Sequence, residues 1–235
     1  MLRRVVERSR AVVVHNAGAR RMVERAVPEA TVVEIPHYFV KPALPGRARE
    51  TRDRLGVAPH QVLVAAFGHL RESKRIPSVL QAIEGIRRAR FLLAGRFVSQ
   101  DLERALGPRL ANGRVIRRGY APEAEFWELA EAADICVNLR WPTAGETSGI
   151  AIKMMGIGKP VAVTAGEETS GFPDAAVVRV DAGEGEVEML AHYLRMLVDS
   201  EEMRREVGRR AAAHIAEQHT LAAAADRYLQ VCRGC

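Results

Sequence analysis

Short apolar runs alternate with amphipathic segments along almost the whole chain. The runs at 11–14, 31–35, 61–67, 90–94, 114–117, 134–137, 160–164 and 176–180 are the length of strands and lack a helical period. Between them, residues 17–26, 76–88, 98–106, 122–132, 149–157 and 184–198 read as amphipathic helices; at the end 201–218, rich in Arg, Glu and Ala, reads as helix too, and 221–231 carries apolar positions at helical spacing. Strands that read as apolar throughout, each followed by a helix, predict a doubly wound α/β fold: a mostly parallel, Rossmann-like sheet with a helical C-terminus.

The pattern breaks after Ile35, where Pro36, Pro42, Pro45 and Gly46 punctuate an aperiodic stretch. Residues 1–38 then hold one strand, one helix and one strand, too little to bury a core. They read as the tail of a larger domain, followed by a linker and lead-in helix at 39–55 and the main domain at 56–235.

Composition removes several function classes. The 235 residues are 48% hydrophobic, enough for a core, yet no apolar run reaches membrane-spanning length. Charges in Arg3, Arg4, Glu7 and Arg8 occupy the place where a secretory leader needs an apolar segment, which points to the cytoplasm. The net charge of +6 comes mainly from scattered arginines, and aromatics are only 5%, so a base-stacking stripe for nucleic acid is absent. The same surface charge suits anionic nucleotides, or peripheral contact with the acidic inner face of a membrane. Cys136 reads as a small core residue, and Cys232 with Cys235 forms a lone C-x-x-C with no second pair to complete a metal site. The histidines show no metal-ligand spacing, and no metal or cofactor is expected. Nucleophile-elbow, zinc-protease, Walker A and dinucleotide fingerprints are all missing.

In an open parallel sheet, ligands bind beyond the carboxyl ends of the strands. Four loops there carry suggestive residues. Gly68 is followed by Arg71 and Lys74, where glycine allows close approach and cations neutralise phosphate. Gly95-Arg96 and Arg118-Gly119-Tyr120 offer cations and an aromatic ring, and each fits an ordinary strand exit as well. The twelve residues 138–149 make a long strand-to-helix connection, ending in Glu146-Thr147-Ser148-Gly149 at the start of an apolar helix. Orphan N–H groups and the positive dipole end there suit a diphosphate, and capping by Thr147 or Ser148 uses the same groups.

The ordered set of Gly68 to Lys74, Gly95-Arg96, Gly119-Tyr120, Ala132-Ala133-Asp134, Gly145 to Gly149 and Gly158-Lys159-Pro160-Val161 resembles the C-terminal, donor-binding domain of retaining GT-B glycosyltransferases of the group-1 family. The likeness covers 56–235, and 11–37 resembles the last strand, helix and strand of that family's N-terminal domain. It implies a nucleotide diphosphate sugar as donor, with an acceptor glycan, lipid or small molecule bound by an N-terminal half absent from this sequence. The isolated fragment would therefore transfer little or no sugar. By that resemblance the catalytic residue is Glu146, matching the first acid of the family's paired-glutamate motif beside the donor sugar, with Gly145 the alternative for that place because the stretch is one residue short. Gly68, Arg71, Lys74, Thr147, Ser148 and Gly149 bind the diphosphate, and Arg96, Arg118, Gly119, Tyr120 and Lys153 lie along the nucleoside. The family's second glutamate is replaced, by Lys153 or Met154 depending on register. That departure keeps open a non-catalytic nucleotide-sugar-binding or partner subunit, and more distantly a nucleotide-sugar epimerase.

Overall fold

The computed structural model describes residues 2–234; Cys235, half of the C-x-x-C motif, lies outside them. Ten helices and eight strands are present among the described residues. All eight expected apolar runs form strands: β1 Val12–Val14, β2 Val32–Glu34, β3 Val62–Phe67, β4 Ala89–Ala94, β5 Val115–Arg118, β6 Ile135–Asn138, β7 Val161–Thr164 and β8 Val178–Val180.

Strands β3 to β8 form one parallel sheet in the order β5-β4-β3-β6-β7-β8. Every residue of β3, β6 and β7 is buried because helices cover both faces. The two-residue period sorts the strand side chains cleanly. Leu63, Ala65 and Phe67 face one layer of helices, and Val62, Val64 and Ala66 face the other.

The first layer contains α6 Glu123–Ala132, α7 Gly149–Gly156 and α9 Glu201–Gln218; the second contains α4 Ile76–Glu84, α5 Gln100–Leu110 and α8 Glu186–Asp199. Helices α7 and α9 approach closely: a Cβ on Gly208 would lie 2.0 Å from the Gly158 carbonyl oxygen. That contact, and the bond from Lys159 Nζ to the Glu131 carbonyl at 2.8 Å, give the Gly158-Lys159-Pro160 motif a packing role.

Two helices precede this unit with little apolar pattern: α1 Leu2–Glu7 and α3 Ala48–Arg54. Ion pairs hold α3 instead. Arg52 reaches Asp134 at 2.7 Å and the Gln61 and Ala132 carbonyls at 2.7 and 3.0 Å, and Arg54 reaches Glu128 at 2.6 Å.

The leading segment forms a separate two-stranded parallel sheet, β1 with β2, joined by α2 Ala17–Ala26. It is fastened at three places. The linker is pinned where Phe39 N–H donates to the His219 carbonyl at 2.7 Å, and the Phe39 ring packs where Gly156 has no side chain. The last helix, α10 Leu221–Gly234, sends Arg227 to the Glu34 carbonyl at 3.3 Å while Leu221 and Leu229 stay exposed. The third attachment, through α2, reaches the candidate site.

Candidate functional site

The strand order reverses between β3 and β6, so the loops leaving their carboxyl ends diverge and open a crevice. Gly68 begins the loop after β3 with φ +92°, a conformation that only glycine adopts without strain. A 3₁₀ turn, Glu72–Lys74, then turns the Lys74 ammonium back over the strand end. Its Nζ donates to the Phe67 carbonyl and to Asn138 Oδ1, both at 3.1 Å. Asn138, the last residue of β6, donates from Nδ2 to Ser148 Oγ at 2.8 Å. Ser148 caps α7 by accepting from Ala151 N–H at 3.2 Å. A continuous polar chain therefore joins Lys74 to the helix N-terminus through Asn138.

Arg140 completes the group. Its backbone N–H is fixed by Thr164 Oγ1 at 2.9 Å, and its guanidinium reaches Glu146 Oε1 at 2.5 Å and Ser148 Oγ at 3.4 Å. The other Glu146 oxygen accepts from Ala144 N–H at 3.1 Å. Helix geometry leaves the Gly149 and Ile150 N–H groups without intrahelical acceptors, and a Cβ on Gly149 would meet nothing within 4 Å. Lys74, Arg71, Arg140, Glu146 and Gly68 line one cavity of about 330 Å³.

The electrostatics favour an incoming anion. Burial, with Arg140 next, pushes the Lys74 ammonium down to about 8, and Cys136 and Glu146 only partly offset this. Its hydrogen-bond acceptors are both neutral, so nothing bonded to it balances the charge. Burial raises the Glu146 carboxyl, but its own N–H, Arg140 and Ala144 together outweigh that and hold it below the usual carboxylate range. Glu146 is satisfied as an anion, whereas Lys74 is not satisfied as a cation.

A second cavity of about 330 Å³ adjoins the first through Gly68, His69 and Ile150 and contains Arg96, Tyr120, Glu123 and Lys153. Lys153 Nζ sits 5.2 Å from the Phe126 ring centroid and 5.5 Å from that of Trp127, a cation–π arrangement. Met154 is fully buried, so Lys153 is the one of the two that faces the crevice. Tyr120 is 76% exposed, a free aromatic face at the rim.

The crevice thus gathers Gly68, Arg71, Lys74 and Glu146 at one end and Arg96, Tyr120 and Lys153 at the other, with Ser148 linked through Asn138. Arg118 and Gly119 lie one step away, in a neighbouring cavity of about 430 Å³ shared with Arg96 and Tyr120. Thr147 turns aside: its Oγ1 accepts from Asn16 Nδ2 of the leading segment at 2.7 Å. Sequence reading did not single out Asn138, Arg140 or Asn16. The signal for the first two was available, a polar residue closing a buried strand and an arginine two positions later in a long loop. Among the described residues no His, Cys, Asp and Glu cluster could hold a metal ion, and no helix is long and apolar enough to cross a membrane.

The profile of a family described as glycosyl transferase-like matches residues 71–230, more than half of the chain. No curated protein matches the sequence. Among solved structures, the sucrose-phosphate synthase from Thermosynechococcus elongatus is similar with a TM-score of 0.85 at 18% identity, over 99% of this chain and 60% of that one. HepE from Anabaena, in complex with UDP and glucose, gives a TM-score of 0.87 at 18% identity, over 98% and 65%. A glycosyltransferase from Rickettsia africae gives 0.77 at 11%, over 94% and 62%. At such identities the likeness is one of fold, and the chain spans less than two thirds of each of these proteins.

Proposed function

This chain belongs to the glycosyl transferase-like family, and on that premise we propose that it is the donor-binding part of a retaining glycosyltransferase, holding a nucleotide diphosphate sugar. The observation that carries the reading is the Lys74-Asn138-Ser148 chain with Arg140, which sets two cations at the α7 N-terminus, at the point where strand order reverses. In HepE the complexes contain UDP, with glucose or as UDP-glucose, which supports a donor of the same class here.

The diphosphate would lie among Arg71, Lys74, Arg140 and the amides of Ser148 and Gly149. The nucleoside would extend past Gly68 toward Arg96, Arg118, Gly119, Tyr120 and Lys153. As the bond from the anomeric carbon to the diphosphate breaks, the electron pair goes to the β-phosphate oxygen, where these fixed cations and amides stabilise it. The acceptor hydroxyl would attack from the same face. Its proton passes to the departing diphosphate, and Glu146 borders the sugar. An acceptor glycan, lipid or small molecule would sit on a domain outside residues 39–235, of which 1–38 forms the last part. We place the protein in the cytoplasm, with peripheral contact to the inner membrane face as an option its basic charge allows.

Titration calorimetry of the full chain with pyrophosphate, UDP, GDP and their glucose conjugates tests the reading. Dissociation constants between about 10 μM and 1 mM are expected for at least one nucleotide. Absence of heat with every one of them would overturn it. Glu146→Gln removes a negative charge from the phosphate side and is expected to tighten UDP binding by about two- to fivefold; a tenfold loss instead would make Glu146 a nucleotide ligand.

One observation favours a second reading, a non-catalytic nucleotide-sugar-binding or partner subunit: a lysine faces the crevice where the resemblance calls for a carboxylate. Loss of turnover with binding retained, when Glu146→Gln is placed in a protein that also carries the acceptor domain, separates an enzyme from that subunit.

A further inference from the structure

We propose that Asn16, on the leading segment, is a positioning residue for the loop that carries Glu146, so that docking of α2 is part of the donor site. This rests on the donor-site reading above. Asn16 is buried, and both ends of its amide are used. Oδ1 caps α2 by accepting from Ala19 N–H at 2.8 Å, while Nδ2 donates to the Gly145 carbonyl at 2.9 Å and to Thr147 Oγ1 at 2.7 Å. These partners fix the amide orientation, since an N–H must meet an oxygen and a carbonyl must meet an N–H. The two bonds bracket Glu146, grasping the residue on either side of it across about 130 positions of sequence.

Four further contacts show a fitted interface. A Cβ on Gly145 would come 2.6 Å from Met22 Sδ, and one on Gly18 would come 2.9 Å from Glu168 N. Arg21 and Arg25 pair with Glu167 at 3.2 and 3.7 Å. The helix thus presses on two loops at once, 143–147 and 167–169. Those loops supply Glu146, Glu168 and Thr169 to the recess beside Arg140 and Ser148. Gly145 itself sits at φ +82°, in a turn whose remaining support is local, from Thr143 Oγ1 at 3.0 Å. Without Asn16, Glu146 would be held by Arg140 and Ala144 on a loop left with only the Met22 contact to α2, while the helix end stays tied to Lys74 through Asn138.

Asn16→Asp separates capping from positioning. The carboxylate keeps the acceptor for Ala19 and loses both donors to the loop. Thr147→Val removes one acceptor from the other side without touching α2. Hydrogen exchange of the amides of 144–149 is expected to accelerate about tenfold in both variants, with the α2 amides unchanged. UDP affinity should weaken about fivefold in parallel. Exchange at 144–149 that stays at the wild-type rate, or that rises only together with α2, overturns the assignment; so does a loosened loop that binds UDP with unaltered affinity. If wild-type protein binds no nucleotide, the donor reading fails, and the exchange data still decide whether Asn16 holds the loop.

Discussion

Lys74→Met is expected to lower UDP affinity about 100-fold or more while leaving the melting temperature no lower than that of the wild type. Lys74 is a cation at the crevice floor whose bonded partners are both uncharged, so a diphosphate would be its first bonded counter-ion. Burial and Arg140 hold it at about 8 against the ordinary 10.5. The folded chain therefore binds that proton less tightly than the unfolded chain does. The resulting deficit in stability is complete below about pH 8 and fades as pH climbs toward 10.5, with a size of roughly 3 kcal/mol. Methionine fills the same space and removes the deficit, at the cost of a lost donor to Phe67 and Asn138. The same arithmetic gives the pH dependence of the wild type. Affinity for UDP should fall as pH rises through about 8, and binding above that pH should draw a proton from the buffer. Calorimetry in two buffers of different ionisation enthalpy reads this directly. Affinity that is flat between about pH 7 and 9.5, or a methionine variant that still binds, would show that the lysine does not meet the phosphates.

Gly95→Ala is expected to cost about 3–5 kcal/mol and to remove nucleotide binding with it. A Cβ at that position would lie 1.8 Å from the Gly68 carbonyl oxygen and 2.8 Å from its carbon. Neither backbone can yield cheaply, because Gly68 N–H is bonded to the Ala94 carbonyl and Gly95 N–H to that of Arg118, each at 3.0 Å. The clash would wedge β3 from β4 at the end where both cavities meet. A fall in melting temperature of about 10 °C is the corresponding reading by calorimetry. Gly107→Ala is the control: nothing lies within 4 Å of a Cβ there, in helix α5, and a gain of up to about 1 kcal/mol is expected. A Gly95→Ala protein as stable as wild type would mean that the Gly68 and Gly95 loops part without cost.

Much of the fold was legible because strands buried on both faces must be apolar throughout, as Val62 to Phe67 are. Boundaries suffered where local chemistry intervened. Helix α4 stops at Glu84 because Gly85 ends it, four residues short of the periodic pattern, while α5 runs past Gly107 and Pro108 to Leu110. Helix α3, inside the expected lead-in segment 39–55, has no apolar pattern because its sequence, ARETRDR, is held by charge pairs to residues 82 and 74 positions away. The site divides in the same way. Gly68, Lys74 and Ser148 announce themselves by residue type beside a strand end or helix start. Asn138 acquires Lys74 only once β3 and β6 are neighbours, Arg140 acquires Thr164 only once β6 and β7 are, and Asn16 acquires its partners only once α2 lies on the 143–147 loop. No local pattern encodes those adjacencies.

Lys153 over the rings of Phe126 and Trp127 makes the crevice optically addressable. The chain has two tryptophans. One lies under that cation, and the other, Trp141, is 47% exposed with its backbone N–H bonded to the Ser73 carbonyl beside Lys74. Trp127 therefore lies behind the cation at one end of the groove, and the Trp141 backbone is tied to the loop that carries Lys74 at the other. Arrival of a ligand that draws Lys153 off its ring, or that dries the Trp141 surface, should register as a change in intrinsic emission, with no label attached.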